Sequence, residues 1–252
     1  MENSKTIQVE VCATSINSAV VANEAGADRI ELCDNISEGG TTPSAGMIAF
    51  AVEKLNLETW VMIRPRGGDF MYNQAEYNVI LGDILIAKNI GASGIVTGLL
   101  QSDGRIDFMK MIEIIEIAKP LKVAFHRAFD MVIDPFMALT ELIDLGVCRI
   151  LTSGQQNKAI DGIDMLAKLV NAAKGRIEIM AGSGINYKNV TEIINSGVDA
   201  IHLSGSSVVQ SIMEHKPHNV ILNDFGHEND FQWKETNIEK VREVIKIAKS
   251  KA

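Results

Sequence analysis

EAGADRIELC, residues 24–33, is the first of four segments that share one pattern: a glycine, a small residue and then a strand-like apolar run. The other three are NIGASGIVTG (89–98), DLGVCRILTS (144–153) and NSGVDAIHLS (195–204). This pattern is typical of a helix that ends at a left-handed glycine and leads directly into a β-strand. The glycines predicted to end these helices are Gly26, Gly91, Gly146 and Gly197.

Four further strand-like runs alternate with these segments, and a helical stretch follows each of them. They are IQVEVC (7–12), TWVMIRP (59–65), KVAFHRAF (122–129) and RIEIMAG (176–182). Strands joined by crossover helices pair in parallel, and eight such units close into a TIM (β/α)8 barrel. The number of units argues against a doubly wound open sheet. The sequence therefore predicts one barrel domain over residues 1–252.

The net charge of the chain indicates which kinds of binding partner are disfavoured. The formal net charge of −8 at pH 7 disfavours nucleic acid and anionic membrane surfaces, both of which are bound mainly by lysine and arginine. The N-terminus does not resemble a signal peptide, and no apolar run approaches the ~20 residues of a membrane span. We expect a cytoplasmic protein with a small ligand, in which the three cysteines are free thiols or ligands rather than a disulfide framework.

A long excursion, GSSVVQSIMEHKPHNVILNDFGHENDFQWKET (205–236), separates the eighth strand from the last helix. Loops of this length usually serve as a lid or a subunit contact, although a simple excursion also fits. Its histidines, His215, His218 and His227, are expected to be solvated rather than metal ligands.

The strands alternate apolar and polar residues, and this alternation predicts which side chains face the inside of the barrel. With the apolar positions turned toward the helices, the inward residues are Glu10, Cys12, Glu31, Cys33, Arg64, His126, Glu178 and His202. One interpretation is a structural network in which the glutamates neutralise Arg64 and a protonated histidine. The other is a cleft at the carboxyl ends of the strands, bordered by Arg64 and His126.

Two loops at this end carry residues suited to an anionic substrate, in RPRGGDF (64–70) and HRAFD (126–130). Arg64 and Arg66 are candidates to bind a carboxylate or phosphate, with Arg127 beside them. His126 is the candidate general acid or base, and Glu10 or Glu31 would orient it or share the proton transfer. Asp130 is a further candidate acid, base or orienting group, and its alternative role is to start a turn or helix.

Glycine-rich turns follow the seventh and eighth strands, where barrels often bind phosphate through backbone N–H groups. Ser183 and Gly184 lie in the first turn, and Ser204 and Gly205 lie in the second. Both pairs are therefore predicted to bind substrate. The alternative is that the glycines serve turn geometry alone.

Several unusual strings occur in order along residues 7–207: EVCATS, GADRIELCDN, EGGTTPSAG, VMIRPRGGDF, FHRAFD, LTSG and HLSGSS. Through them the chain resembles the CutC copper-homeostasis family of TIM-barrel proteins. The resemblance implies a cytoplasmic, commonly dimeric barrel that handles copper. It also implies that Cys12 and Cys33 are Cu(I) ligands.

The chemistry of the residues leaves two functions open. Cu(I) prefers thiolates, and two cysteines ending adjacent strands ~4.8 Å apart can meet. A disulfide between them is also sterically allowed. The hard, charged groups beside them are not needed for Cu(I), and they favour an enzyme with a small anionic or phosphorylated substrate, whose reaction type the sequence leaves open. Cys148, at the start of the sixth strand, is expected to be a small core residue.

Overall fold

Each of the four repeated segments forms the end of a helix and the strand that follows it. The computed structural model describes residues 6–217, 219–222 and 230–250. Gly26 and Gly91 cap their helices with φ of 84° and 97°, and Gly146 and Gly197 take φ of 78° and 91° just after theirs. Residues with a Cβ rarely adopt this conformation, which explains the repeated glycine. The predicted helix-to-strand units are confirmed.

Eight parallel strands close into a barrel in the order of the chain, as predicted. The strands are β1 Gln8–Ala13, β2 Arg29–Leu32, β3 Glu58–Met62, β4 Gly94–Thr97, β5 Lys122–Phe125, β6 Arg149–Thr152, β7 Glu178–Gly182 and β8 Ala200–Leu203. The helices are α1 Ile16–Ala25, α2 Ala45–Lys54, α3 Gln74–Ile90, α4 Phe108–Ala118, α5 Pro135–Asp144, α6 Ile163–Ala173, α7 Val190–Asn195 and α8 Ile238–Lys249. β1 closes the barrel by pairing with β8.

The alternation along the strands sorts the side chains as the sequence predicts. Outward residues such as Val9, Ile30 and Ile201 are fully buried in the main hydrophobic core between strands and helices. Small separate apolar clusters lie inside the barrel, and one of them contains Trp60. A Cβ on Gly94 would lie 2.5 Å from the Trp60 ring, so the glycine leaves room for the indole.

A buried ion network fills the amino-terminal half of the barrel interior, and its cations differ from the predicted ones. Glu10 accepts from Arg29 Nε at 2.7 Å and from Arg149 Nη1 at 3.0 Å. Glu178 also pairs with both arginines. The prediction that Arg64 neutralises the glutamates is wrong, because its guanidinium binds backbone carbonyl groups above the network. Pairing of this kind offsets the desolvation cost of burying charge.

The excursion after β8 contains an unpredicted two-stranded antiparallel sheet. Its strands are β9 Ser206–Gln210 and β10 Gln232–Thr236. Between them His215 is exposed, whereas His218 and His227 lie outside the described residues. Among the residues that the structure describes, no helix has the length and apolar character needed to cross a membrane.

Candidate functional site

A cavity of about 500 Å³ opens at the carboxyl ends of the strands. The predicted catalytic and metal residues that line it are Cys12, Glu31, Cys33, His126 and Asp130. The predicted binding residues that line it are Arg64, Arg127, Ser183, Gly184 and Ser204. Cavities of this size at this end of the barrel are the usual place for a small ligand in this fold.

Two thiols meet at one side of this cavity. Strand pairing sets Cys12 opposite Glu31, and the N–H of Cys33 donates to the carbonyl of Ala13. The two sulfur atoms are 3.3 Å apart, and both cysteines are buried and in the free form. The hydrogen bond with Cys33 and burial raise the pKa of Cys12 well above its usual value, so Cys12 is a thiol at neutral pH.

A chain of titratable groups connects the thiols to the ion network below. His202 Nδ1 lies 2.8 Å from Glu10 Oε1, and His202 Nε2 lies 3.6 Å from Glu31 Oε2. Burial raises the pKa of Glu10, but the hydrogen bond and charge of His202, helped by two arginines, outweigh it and lower the pKa to about 2. Burial lowers the pKa of His202, but the charge of Glu31 and two side-chain hydrogen bonds raise it well above its usual value. Burial raises the pKa of Glu31 to about 7.

Arg64 also borders the cavity and holds two loops together. Nη1 donates to the carbonyls of Glu38 and Gly40 at 2.6 and 2.8 Å, and Nη2 donates to the carbonyl of Gly68 at 2.8 Å. The side chain is buried, and its Nε has no hydrogen-bond partner among the described residues. The guanidinium also stacks on Phe70, 4.9 Å from the ring centre. Arg64 thus holds the cavity wall in place, and its Nε–H is left without an acceptor among the described residues.

His126 is a buried, neutral histidine. Its Nδ1 accepts a hydrogen bond from the Ala128 N–H at 3.1 Å, so the proton of the neutral ring lies on Nε2. Burial and the charge of Arg64 lower its pKa to about 3. Gly98 makes room for the ring, because a Cβ there would lie 2.7 Å from it. The prediction for His126 is a general acid or base, and this geometry favours a hydrogen-bond donor over a base. The catalytic role itself stays a prediction.

The lowered pKa of His126 gives the free energy of unfolding a specific dependence on pH. Between pH 6.5 and about 3, the unfolded chain binds a proton at this ring that the folded protein does not. Its contribution to stability is therefore complete above pH 6.5 and is lost as the pH falls. His126→Asn keeps a side-chain acceptor for the Ala128 N–H and removes this titration. We expect the cost of the substitution, measured by urea unfolding, to be about 2 kcal/mol smaller at pH 5 than at pH 8.

The control for this measurement is His215→Asn, because His215 is exposed and the substitution should change stability little at both pH values. An equal cost of His126→Asn at pH 5 and pH 8 would contradict a neutral, buried His126.

Arg127 and Asp130 form a tight unit at the end of β6. Asp130 accepts from Arg127 Nε at 2.7 Å, from Thr152 Oγ1 at 2.6 Å and from the Ser153 N–H at 3.0 Å. Its Oδ1 also accepts from the Gln155 N–H. Both carboxylate oxygens are thus occupied, which favours the orienting role for Asp130 over that of acid or base. The Arg127 side chain is 41% exposed at the rim of the cavity.

Three predicted site residues do not line the cavity. Glu10 lies beneath it in the ion network. Arg66 turns outward to Glu76 and Asp69, and Gly205 borders a smaller neighbouring cavity. Ser183 is on the wall with a left-handed φ of 80°, and its hydroxyl donates to the Asn157 carbonyl. The roles predicted for these residues stay predictions.

Four residues contribute to the site in ways that were not predicted from the sequence. Arg29 has the same inward parity as Glu31, and Arg149 has the inward parity of its strand, so the alternation contains the signal for both. His202 was recognised as inward, but its position between two glutamates depends on barrel closure. Phe70 comes from a loop, where periodicity gives no signal.

The fold and the cavity define a (β/α)8 barrel protein with a cavity at the carboxyl ends of its strands. The model of the CutC family matches residues 7–207. The chain is 44% identical over 243 residues to a copper homeostasis protein cutC homolog of Homo sapiens, covering 96% of this chain and 89% of the human protein. It is 46% identical over 241 residues to a family protein CutC of Parabacteroides distasonis, covering 94% of this chain and 98% of that protein.

A solved structure agrees with these relatives. The putative copper homeostasis protein CutC of Streptococcus agalactiae superposes with a TM-score of 0.75 at 36% identity, covering 79% of this chain and 98% of that one. The chain belongs to the CutC family. The resemblance inferred from the sequence is confirmed.

Proposed function

We propose that this protein binds Cu(I) through Cys12 and Cys33 at the mouth of the barrel. The observation that carries the proposal is the pair of free, buried thiols, whose sulfur atoms lie 3.3 Å apart. Two deprotonated cysteines are soft ligands of the kind that Cu(I) prefers. The description of relatives as copper homeostasis proteins supports the same metal.

The surroundings of the thiols offer additional ligands. Met62 packs against both cysteines in one buried cluster and presents a soft thioether. A carboxylate oxygen of Glu31 lies with the two sulfur atoms in a group whose members are all within 4.8 Å of one another. The two sulfur atoms are 3.3 Å apart. If each metal–sulfur bond is about 2.3 Å long, the sulfur–metal–sulfur angle is about 90°. A bent site with a third ligand therefore fits these positions better than a linear one.

The cations near the thiols are compatible with this function. Cu(I) with two thiolates carries one net negative charge, so cations around the complex stabilise it even though they would repel the free metal ion. His202 carries a pKa raised well above its usual value and contacts Cys12, and Arg64 lines the same cavity. In the sequence, positive groups near the thiols argue against copper because they would repel the free cation. In the bound complex the net charge is negative, so the same groups stabilise it.

The ligand set is tested by copper K-edge X-ray absorption on protein loaded anaerobically with one equivalent of Cu(I). We expect a first shell dominated by sulfur in the wild-type protein and in the Cys148→Ser variant. Cys148 lies at the amino-terminal end of β6, where its sulfur is 3.2 Å from the Val123 carbonyl. A first shell of nitrogen and oxygen alone, or a spectrum changed by Cys148→Ser, would contradict the proposal.

The cytoplasmic location and the homodimer implied by the family resemblance remain part of this proposal. The cavity that contains the thiols is lined within one chain. Both proposed sulfur ligands belong to the same chain.

A further inference from the structure

We propose that the part of the cavity wall formed by Arg64 and His126 binds a small organic carboxylate. This site goes beyond copper binding and uses different side chains. Arg64 Nε and His126 Nε2 are both buried polar atoms without a hydrogen-bond partner among residues 6–217, 219–222 and 230–250. Both residues line the same cavity.

Arg64 is a buried cation whose charge needs compensation. The residue is 3% exposed, and within the described part of the chain it forms no salt bridge with a carboxylate. Three carbonyls occupy three of its N–H groups. Because a guanidinium has five donors, the Nε–H and one Nη2–H remain. A buried cation with free N–H groups is stabilised by an anion.

His126 adds a neutral donor to the same cavity wall. Its Nδ1 is engaged by the Ala128 N–H, which leaves Nε2–H as the group that faces outward from this contact without an acceptor. The Phe70 ring centre is 4.9 Å from the imidazole centroid and 4.9 Å from the guanidinium carbon of Arg64. The Phe70 ring therefore contacts both residues. A buried donor without a partner is costly, so an acceptor supplied by a ligand accounts for both.

The lining of the cavity selects the class of ligand. Free N–H groups of a guanidinium bind the oxygens of a carboxylate or of a phosphate, so the rest of the wall decides between the two. The rest of the wall includes apolar side chains, Leu151, Ile185 and Leu203 among them, which suit the carbon skeleton of an organic acid. At the rim, the half-exposed Arg127 can receive a second acidic group.

The test is isothermal titration of the metal-free protein with malonate, and separately with inorganic phosphate. We expect malonate to bind at one site and more tightly than phosphate. His126→Asn keeps the cap on the Ala128 N–H but removes the Nε2–H donor, and it should weaken malonate binding by about tenfold or more. Arg64→Gln should weaken it further.

Arg176→Gln is the matched control for loss of one positive charge. Arg176 is exposed and precedes β7, at the opposite end of the barrel, so malonate binding should be unchanged. If Arg64→Gln disturbs the loops that Arg64 holds, the His126→Asn result still decides. Absence of malonate binding at millimolar concentrations, binding indifferent to His126→Asn, or tighter binding of phosphate would each overturn the proposal.

Discussion

Glu10→Gln is expected to lower the free energy of unfolding by about 3–5 kcal/mol, because it removes the anion from the centre of a buried ion network. Glu10 is fully buried. One of its oxygens accepts from Arg29 and Arg149, and the other lies 2.8 Å from His202 Nδ1. Without the carboxylate, the two buried arginines keep only the partly exposed Glu178 as a counter-ion, and His202 Nδ1 loses its charged partner. Urea unfolding at neutral pH measures the effect.

Glu178→Gln is the matched control, since Glu178 pairs with the same two arginines. Its side chain is 26% exposed, whereas that of Glu10 is 1% exposed. Water can therefore solvate the arginines on the Glu178 side, and we expect a clearly smaller loss there. Equal losses from the two substitutions, or a loss below about 1 kcal/mol for Glu10→Gln, would show that the network is not the main support of the barrel interior.

The architecture of this protein could be predicted from sequence because it depends on local signals. Gly26 and Gly91 mark helix ends, since only a residue without a Cβ adopts these φ values easily. The alternation of residues such as Glu10 and Val11 separates the inside of the barrel from the outside. These signals repeat along the chain and agree with one another, which is why the barrel could be predicted. The sheet of β9 and β10 lies outside this repeat and was not predicted.

The candidate site was predicted less completely because its contacts are not periodic. Arg64 was a candidate both for the ion network and for the cleft. Its guanidinium binds carbonyls of loops, whose paths no alternation describes. Arg29 and Arg149, by contrast, occupy positions that the alternation does describe. Both follow the inward parity, and only their pairing with Glu10 required the closed barrel.

The cavity wall has two chemically different parts. Cys12, Cys33 and Met62 form a soft, buried corner. Arg64 and His126 present hard N–H donors elsewhere on the same wall. The two functions left open by the sequence therefore correspond to two separate sets of side chains, and substitutions can test each one independently.

Anaerobic titration of Cu(I) against a competing chelator tests the central claim most directly. The proteins to compare are the wild type, the double variant Cys12→Ser, Cys33→Ser, and Cys148→Ser as the control. Changes around a metal site that leave its ligands intact often weaken binding 10–100-fold, so removal of both ligands should cost more than about 100-fold. The account predicts one tightly bound Cu(I) in the wild type and in Cys148→Ser, with binding lost in the double variant. Equal affinity in the wild type and the double variant would contradict it.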